Sequence, residues 1–188
     1  MPAHVESHLL SDVTMGVHMN ASKAVLVAYY SSTGNTARVA HDVAERLDAD
    51  IEIIQDRRHR TGLLGQFTAA IDAWREAPGK IEPLRHNPAD YAITIVGTPV
   101  WTAKMTPAVR AYLRETRGRI QSAAFFVTSG DTDIAKLLPS LEAVAGRTSI
   151  ASAGFKGNEL RDAAVYERKR SAFVDQVARA VQLSRRAA

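Results

Sequence analysis

The segment Ser31-Ser32-Thr33-Gly34-Asn35-Thr36 follows an apolar run, Ala24 to Tyr30, and opens a stretch with helical spacing. A loop between a strand and a helix presents unpaired backbone N–H groups, which bind an anion without help from lysine or arginine. The hydroxyls add neutral donors, and Gly34 lets the backbone approach a ligand closely. We therefore predict a phosphate site here, although the same residue types also favour simple helix capping.

Other phosphate loops do not match this segment. It lacks the Gly-Lys-Ser/Thr of a Walker loop and the G-x-G-x-x-G of a dinucleotide fingerprint. The chain has no cysteine, which excludes a thiolate phosphatase loop, disulfides and cysteine-bound clusters. Neutral donors suit a phosphate that stays bound, because phosphoryl transfer needs its developing charge neutralised. Because the chain has no cysteine, any redox chemistry must come from a bound cofactor.

Apolar runs of strand length alternate with helical patterns along the chain. The runs are Ala24–Tyr30, Ile51–Ile54, Tyr91–Gly97, Ala123–Thr128 and, more weakly, Ser149–Ala153. Helical spacing is seen for Val39, Val43 and Leu47; for Leu64, Phe67, Ile71 and Trp74; for Val109, Tyr112 and Leu113; for Ile134, Leu137 and Leu141; and for Phe173, Val177 and Val181. Continuous apolar runs are typical of strands buried on both faces. The pattern predicts an α/β domain over residues 22–188, with a doubly wound parallel sheet of five strands.

The long segment between the second and third strands, residues 57–90, has two interpretations. Its apolar stripe from Leu64 to Trp74 indicates a helix that covers the sheet, as the fold requires. A lid or a dimer surface is the alternative.

Small polar segments follow three of the predicted strands. The first is the predicted phosphate loop, Ser31 to Thr36. The second of them is Gly97-Thr98-Pro99-Val100-Trp101-Thr102, and the third is Thr128-Ser129-Gly130-Asp131-Thr132. In a sheet of order 2-1-3-4-5, these segments and the phosphate loop converge on one ligand. Trp101 could stack on a flat aromatic ligand or pack against a helix. Asp131 or Thr132 could instead cap a helix that begins near Ile134.

Composition narrows the class of protein further. The chain has 188 residues, 46% of them hydrophobic, and a formal net charge of +4. Its basic clusters are short and separated, so we expect no nucleic-acid partner. We expect no membrane span, because no apolar run approaches the ~20 residues that one needs. Residues 1–21 are expected to be a flexible leader, or an addition ahead of a natural start at Met19. A cytoplasmic protein is the default expectation.

The segment Tyr30-Ser31-Ser32-Thr33-Gly34-Asn35-Thr36 resembles the FMN phosphate signature T/S-x-T-G-N-T of the flavodoxin superfamily. Gly97 to Trp101 is similar to the second flavin loop of that family, and Ser129 to Asp131 to the third. The resemblance covers the chain from Ser22 onward. It implies a three-layer α/β/α flavodoxin-like fold, with strand order 2-1-3-4-5 and non-covalent FMN.

The resemblance also implies a role for each loop. Ser31, Thr33, Asn35 and Thr36 would hold the phosphate, within a loop completed by Ser32 and Gly34. Thr98, Pro99, Val100 and Trp101 would lie against the isoalloxazine, and Ser129, Gly130 and Asp131 would meet the polar edge of the ring. Two departures from the family pattern are Thr132, where many flavodoxins have a tyrosine, and Thr102, where many have a glycine.

The expected function is electron transfer through FMN with a redox partner protein, without a catalytic acid or base and without a metal. The enzyme alternative is an NAD(P)H-dependent quinone or nitro reductase with a small acceptor. Lys104 and the basic stretch Arg57–Arg60 would then attract the anionic nicotinamide cofactor. A second alternative is a non-redox regulatory module that binds a phosphate, because a fold does not dictate a function.

Overall fold

The structure is a computed structural model that describes residues 24–57 and 80–187. The strands are β1 (Val25–Tyr29), β2 (Asp50–Ile53), β3 (Ile93–Trp101), β4 (Lys104–Met105), β5 (Ser122–Ser129) and β6 (Ser149–Lys156). The helices are α1 (Asn35–Leu47), α2 (Pro107–Glu115), α3 (Leu138–Ala145) and α4 (Ala163–Ala187), with single 3₁₀ turns at Pro88–Asp90 and Ile134–Lys136. The predicted leader and the Leu64–Trp74 stripe lie outside the described residues.

The strands form one sheet in the order β2-β1-β3-β5-β6, and β4 pairs with β3 off this path. The five strands of the main path all pair in parallel, whereas β4 runs antiparallel to β3. Counted without the short β4, this is the predicted order 2-1-3-4-5, and the doubly wound parallel sheet is confirmed.

Two separate cores lie on the two faces of the sheet, and alternate residues of the central strands β1, β3 and β5 enter one or the other. In β1, Val27 and Tyr29 pack with residues of α1 and α4, whereas Ala28 packs with α2 and α3. In β5, Phe126 joins the first core and Phe125 the second. Both faces of the sheet are covered, so the central strands β1, β3 and β5 are largely apolar, and the predicted three-layer arrangement is confirmed. Among the described residues, no helix is both long enough and apolar enough to cross a bilayer.

Three predicted boundaries are wrong. The fifth strand does not end at Ala153 but pairs with β5 as far as Lys156. The third strand does not end at Gly97 but continues to Trp101, because it pairs with β5 as far as Pro99 and with β4 beyond it. The fourth helix pattern does not begin as an α-helix near Ile134. A 3₁₀ turn comes first, and α3 starts at Leu138, with a proline in its first turn.

A buried carboxylate anchors the edge strand β2. Glu52 is 2% exposed, and its Oε2 accepts hydrogen bonds from the backbone N–H groups of Arg85 at 3.0 Å and His86 at 2.8 Å. These bonds satisfy a charge that would be costly to bury alone. They attach β2 to the segment that leads into β3.

Candidate functional site

Three segments meet at the carboxyl edge of the sheet. β1, β3 and β5 are neighbours and run parallel, so the residues that follow them share one edge. We call residues 31–36 the first loop, residues 97–102 the second loop and residues 128–132 the third loop. The structure therefore brings together all three segments that the sequence singled out.

In the first loop, Gly34 occupies the N-cap position of α1 with φ 92° and ψ −22°. This left-handed conformation costs a residue with a side chain about 1–2 kcal/mol, which explains why glycine occupies the position. The Gly34 N–H donates to Ser31 Oγ at 3.2 Å and closes the loop. Within the described chain, no atom outside its chain neighbours lies within 4 Å of a Cβ built on Gly34, so the loop faces open space.

The N-terminus of α1 offers several donors to a ligand. Its first turn reads Asn35-Thr36-Ala37-Arg38 and carries no carboxylate. Within the described residues, no side chain caps this end of the helix, and Ser32, Thr33 and Asn35 are exposed. Uncapped N–H groups and the helix dipole favour negative charge at this point. The donor set fits a phosphate group.

Thr36 differs from the other predicted phosphate ligands. It is 1% exposed, and its Oγ1 lies 2.7 Å from Thr128 Oγ1 of β5. The backbone N–H of Thr36 belongs to the first turn, whereas the side chain holds that turn against the sheet. The same hydrogen bond connects the first loop to the start of the third.

The second loop does not follow the third strand, as the sequence indicated, but is largely part of it. Thr98 to Trp101 are the last residues of β3, and a two-residue hairpin turn joins them to β4. Thr98 is fully buried; its hydroxyl donates to the Pro99 carbonyl at 2.9 Å and lies 3.3 Å from Thr106 Oγ1. The Thr98 side chain therefore stabilises the end of the strand. Half-buried Pro99, Val100 and Trp101 remain at the carboxyl edge of the sheet.

An aromatic pair joins Tyr30, which precedes the first loop, to the second loop. The rings of Tyr30 and Trp101 meet edge to face, with centroids 5.7 Å apart and an angle of 90° between their planes. Both residues are partly exposed. Trp101 is therefore neither free in a loop nor buried under a helix, and it forms an apolar wall on one side of the site.

The third loop is held by polar contacts of its own. Ser129 Oγ donates to the Thr132 carbonyl at 2.8 Å, and Gly130 has no other group within 4 Å of a Cβ position in the described chain. Asp131 Oδ1 accepts a hydrogen bond from Lys156 Nζ at 2.9 Å. This contact lowers the pKa of Asp131 below its ordinary value. The cap of the following turn is Asp133, not Asp131 or Thr132, because Asp133 Oδ1 accepts from the Ala135 N–H at 2.9 Å.

A polar cavity of about 270 Å³ lies beside the third loop, and no motif in the sequence indicated it. Its walls are Thr132, Asp133, Ile134, Gly154, Lys156, Glu159 and Lys169. Glu159 Oε2 accepts from the Lys156 N–H at 2.9 Å and from Lys169 Nζ at 2.7 Å. Partial burial acts to raise the pKa of Glu159, but these two donors outweigh it and lower the pKa. Each of the two lysines thus forms an ion pair with a carboxylate, Lys156 with Asp131 and Lys169 with Glu159.

Comparison with known proteins agrees with the fold. No known protein family and no curated protein matches the sequence. A candidate flavoprotein from Bacteroides uniformis has a TM-score of 0.61 at 22% identity, over 79% of this chain and 99% of its own. A flavoprotein from Lactobacillus acidophilus, crystallised in complex with FMN, has a TM-score of 0.56 at 18% identity, over 76% of this chain and 99% of its own.

A third solved structure belongs to an enzyme. The apo form of an NADH:FMN oxidoreductase has a TM-score of 0.52 at 15% identity, over 82% of this chain and 89% of its own. At these identities the likeness concerns the fold. Together with the strand order and the covered faces, it shows that the chain has the flavodoxin-like fold, as its sequence signature predicted.

Proposed function

We propose that this protein binds FMN non-covalently at the carboxyl edge of its sheet and acts as a flavodoxin-like redox protein. The observation that supports it most is the uncapped N-terminus of α1, opened by Gly34 and set beside the Tyr30–Trp101 pair. A flavin nucleotide carries both a phosphate and a flat aromatic ring, and the two features match these two groups. Structural similarity to a flavoprotein crystallised with FMN supports the same ligand.

Different groups of the protein would contact different parts of FMN. Backbone N–H groups of the first turn of α1 and the hydroxyls of Ser32 and Thr33 would hold the phosphate. The apolar wall of Tyr30 and Trp101 would exclude water from one side of the ring. Backbone groups of the third loop would meet polar atoms at the edge of the ring. When bound, FMN supplies the capacity to accept and release electrons.

Thr33 allows a direct test of the phosphate site. Thr33→Ala removes an exposed hydroxyl and should weaken FMN binding by about 1.5–3 kcal/mol, the value of a hydrogen bond to a charged group. Thr148→Ala removes another exposed hydroxyl, next to the opposite, amino end of β6, and serves as the control. Fluorescence titration measures both affinities, and urea unfolding should show both variants as stable as the wild type. Equal FMN affinity for Thr33→Ala and wild type would contradict this position for the phosphate.

A reductase role is the second candidate, and the register of the β3–β4 hairpin favours it. The register of the hairpin places Lys104 opposite Trp101, so a cation lies at the rim of the proposed ring site. A cation there would attract the phosphates of NAD(P)H. The fold similarity to an NADH:FMN oxidoreductase is consistent with this role.

Steady-state kinetics separates a reductase from an electron carrier. A reductase should oxidise NADPH with a quinone acceptor, and turnover below ~0.01 s⁻¹ would contradict that role, because enzymes typically turn over at roughly 1–10³ s⁻¹. A carrier should show little activity alone. Its photoreduction should proceed in two spectroscopically distinct one-electron stages, and a single two-electron stage would argue against it.

The colour of the protein distinguishes a flavoprotein from a non-redox phosphate-binding module. A flavoprotein absorbs visible light through its flavin, whereas the module would be colourless. Protein isolated with FMN, or supplied with it, should be yellow and should release flavin absorbance on denaturation. Folded protein that stays colourless with excess FMN would leave the regulatory module as the better account.

A further inference from the structure

The segment between β6 and α4, residues 157–162, contacts both the third loop and Arg38 of α1. A Cβ built on Gly157 would lie 3.8 Å from the Ser129 carbonyl oxygen and 4.0 Å from that of Gly130. Three residues further on, the Leu160 carbonyl accepts a hydrogen bond from Arg38 Nη1 at 3.1 Å. The segment is therefore fixed on one side to the third loop and on the other to the first turns of α1.

Arg161 lies within this segment. Its Nη1 lies 4.0 Å from the same Cβ position on Gly157, so the guanidinium sits on the carboxyl edge, near the Ser129 carbonyl. Ser129 follows Thr128, whose hydroxyl lies 2.7 Å from that of Thr36 in the first turn of α1. The segment that bears Arg161 and the first turn of α1 thus both adjoin the end of β5.

The charge of Arg161 has no counterpart in the described chain, unlike the other cations at this corner. Lys156 pairs with Asp131 at 2.9 Å, and Lys169 with Glu159 at 2.7 Å. Arg38 lies 4.0 Å from Asp42 and stacks on the ring of Tyr166. Within residues 24–57 and 80–187, no carboxylate or acceptor engages the exposed side chain of Arg161.

We propose that Arg161 is a phosphate-binding residue that makes the site selective for a phosphorylated flavin over a dephosphorylated one. The inference rests on the proposed function, because it places the phosphate of FMN at the N-terminus of α1. A phosphate monoester carries nearly two negative charges at neutral pH, and the guanidinium fork matches its oxygens. Neutral donors fix the geometry of the phosphate, and Arg161 adds a charge-assisted contact.

The test compares FMN with riboflavin, which has the same ring but no phosphate. In the full chain at low salt, Arg161→Ala should raise the Kd for FMN about threefold to tenfold, as expected for a partly exposed contact between opposite charges. Its affinity for riboflavin should not change. Arg161→Lys keeps the charge and should recover part of the FMN affinity. The loss in Arg161→Ala should shrink as salt is added, because salt screens exposed charges.

Arg114→Ala is the matched control, since it removes an exposed arginine in the last turn of α2, at the opposite end of the sheet. It should leave both affinities unchanged. If wild type binds FMN and Arg161→Ala binds it equally well, the inference fails and the proposed function stands. An equal loss of FMN and riboflavin affinity would also overturn the inference, because it would indicate a disturbed ring site. If folded wild type binds no FMN, the proposed function fails and the inference falls with it.

Discussion

Gly97 of β3 lies directly against a ring in the neighbouring strand. A Cβ built on Gly97 would fall only 2.2 Å from the Cζ of Phe126, which is itself fully buried and packed edge to face with Phe155 and Phe173. The ring cannot shift without disturbing this aromatic cluster. Glycine is therefore required here for packing, although the residue stands at the start of a loop assigned to the ligand.

Gly97→Ala should destabilise the fold by about 1–3 kcal/mol, the usual cost of overpacking a core. Gly130→Ala is the control, since its Cβ would meet no group of the described chain within 4 Å. Urea unfolding of both variants measures the difference. Similar stability for the two variants would show that the core around Phe126 is looser than described.

The polar residues of the third loop illustrate what the sequence could and could not reveal. Glycine and hydroxyl residues after a strand identify the segment, because short-range chemistry is visible in a linear pattern. The pairing of Asp131 with Lys156 is not visible, since it depends on the end of β6 lying beside the loop. For the same reason, nothing in the linear pattern distinguished Asp133 as the cap from its two neighbours.

At the level of elements, the hairpin between β3 and β4 adopts an unusual backbone. Thr102 has φ 46° and Ala103 has φ 59°, so both residues are left-handed without being glycine. Two consecutive left-handed residues form the type I′ turn, which is usually built from Asn-Gly. The two-residue strand β4 is too short to leave a hydrophobic pattern, which explains why it was not predicted.

Ala103→Gly should stabilise the protein by about 1 kcal/mol, because glycine adopts a left-handed conformation without steric cost. Ala135→Gly, in a 3₁₀ turn without a positive φ, should have the opposite sign and cost up to about 1 kcal/mol. Thermal or urea unfolding measures both. A destabilised Ala103→Gly variant would mean that the turn is not left-handed.

The strands themselves were predictable because a parallel sheet leaves a simple pattern. β1, β5 and most of β3 are buried on both faces, so their apolar runs are continuous. The end of β3 was not predictable, since Pro99 and the polar residues around it resemble a turn. Its pairing with β5 extends the strand, and that pairing is a property of the assembled sheet.

At the scale of the whole molecule, hydrogen-bonded carboxylates make the fold sensitive to acid. Glu142 of α3 accepts from the Ser149 N–H at 2.8 Å and from its hydroxyl at 2.7 Å, and these bonds lower the pKa of Glu142. A carboxyl with a lower pKa in the folded state adds stability above its unfolded pKa. That stability is lost as the pH falls through the folded value.

We expect the free energy of unfolding to fall as the pH is lowered below the ordinary range of a glutamate pKa. Glu142→Gln should reduce the steepness of this fall, because an amide does not titrate there. Glu115→Gln removes one exposed negative charge at the end of α2 and controls for net charge. Urea unfolding at several pH values measures the slopes. An unchanged slope in Glu142→Gln would contradict a link between this carboxylate and acid stability.

The central claim is that the N-terminus of α1 holds the phosphate of FMN. The most direct test is an NMR titration of the ¹⁵N-labelled protein with FMN, which follows the backbone amides one by one. The claim predicts the largest shifts at the amides of residues 33–37, with a second group at residues 129–131. Saturable FMN binding that leaves the amides of residues 33–37 unmoved would contradict it.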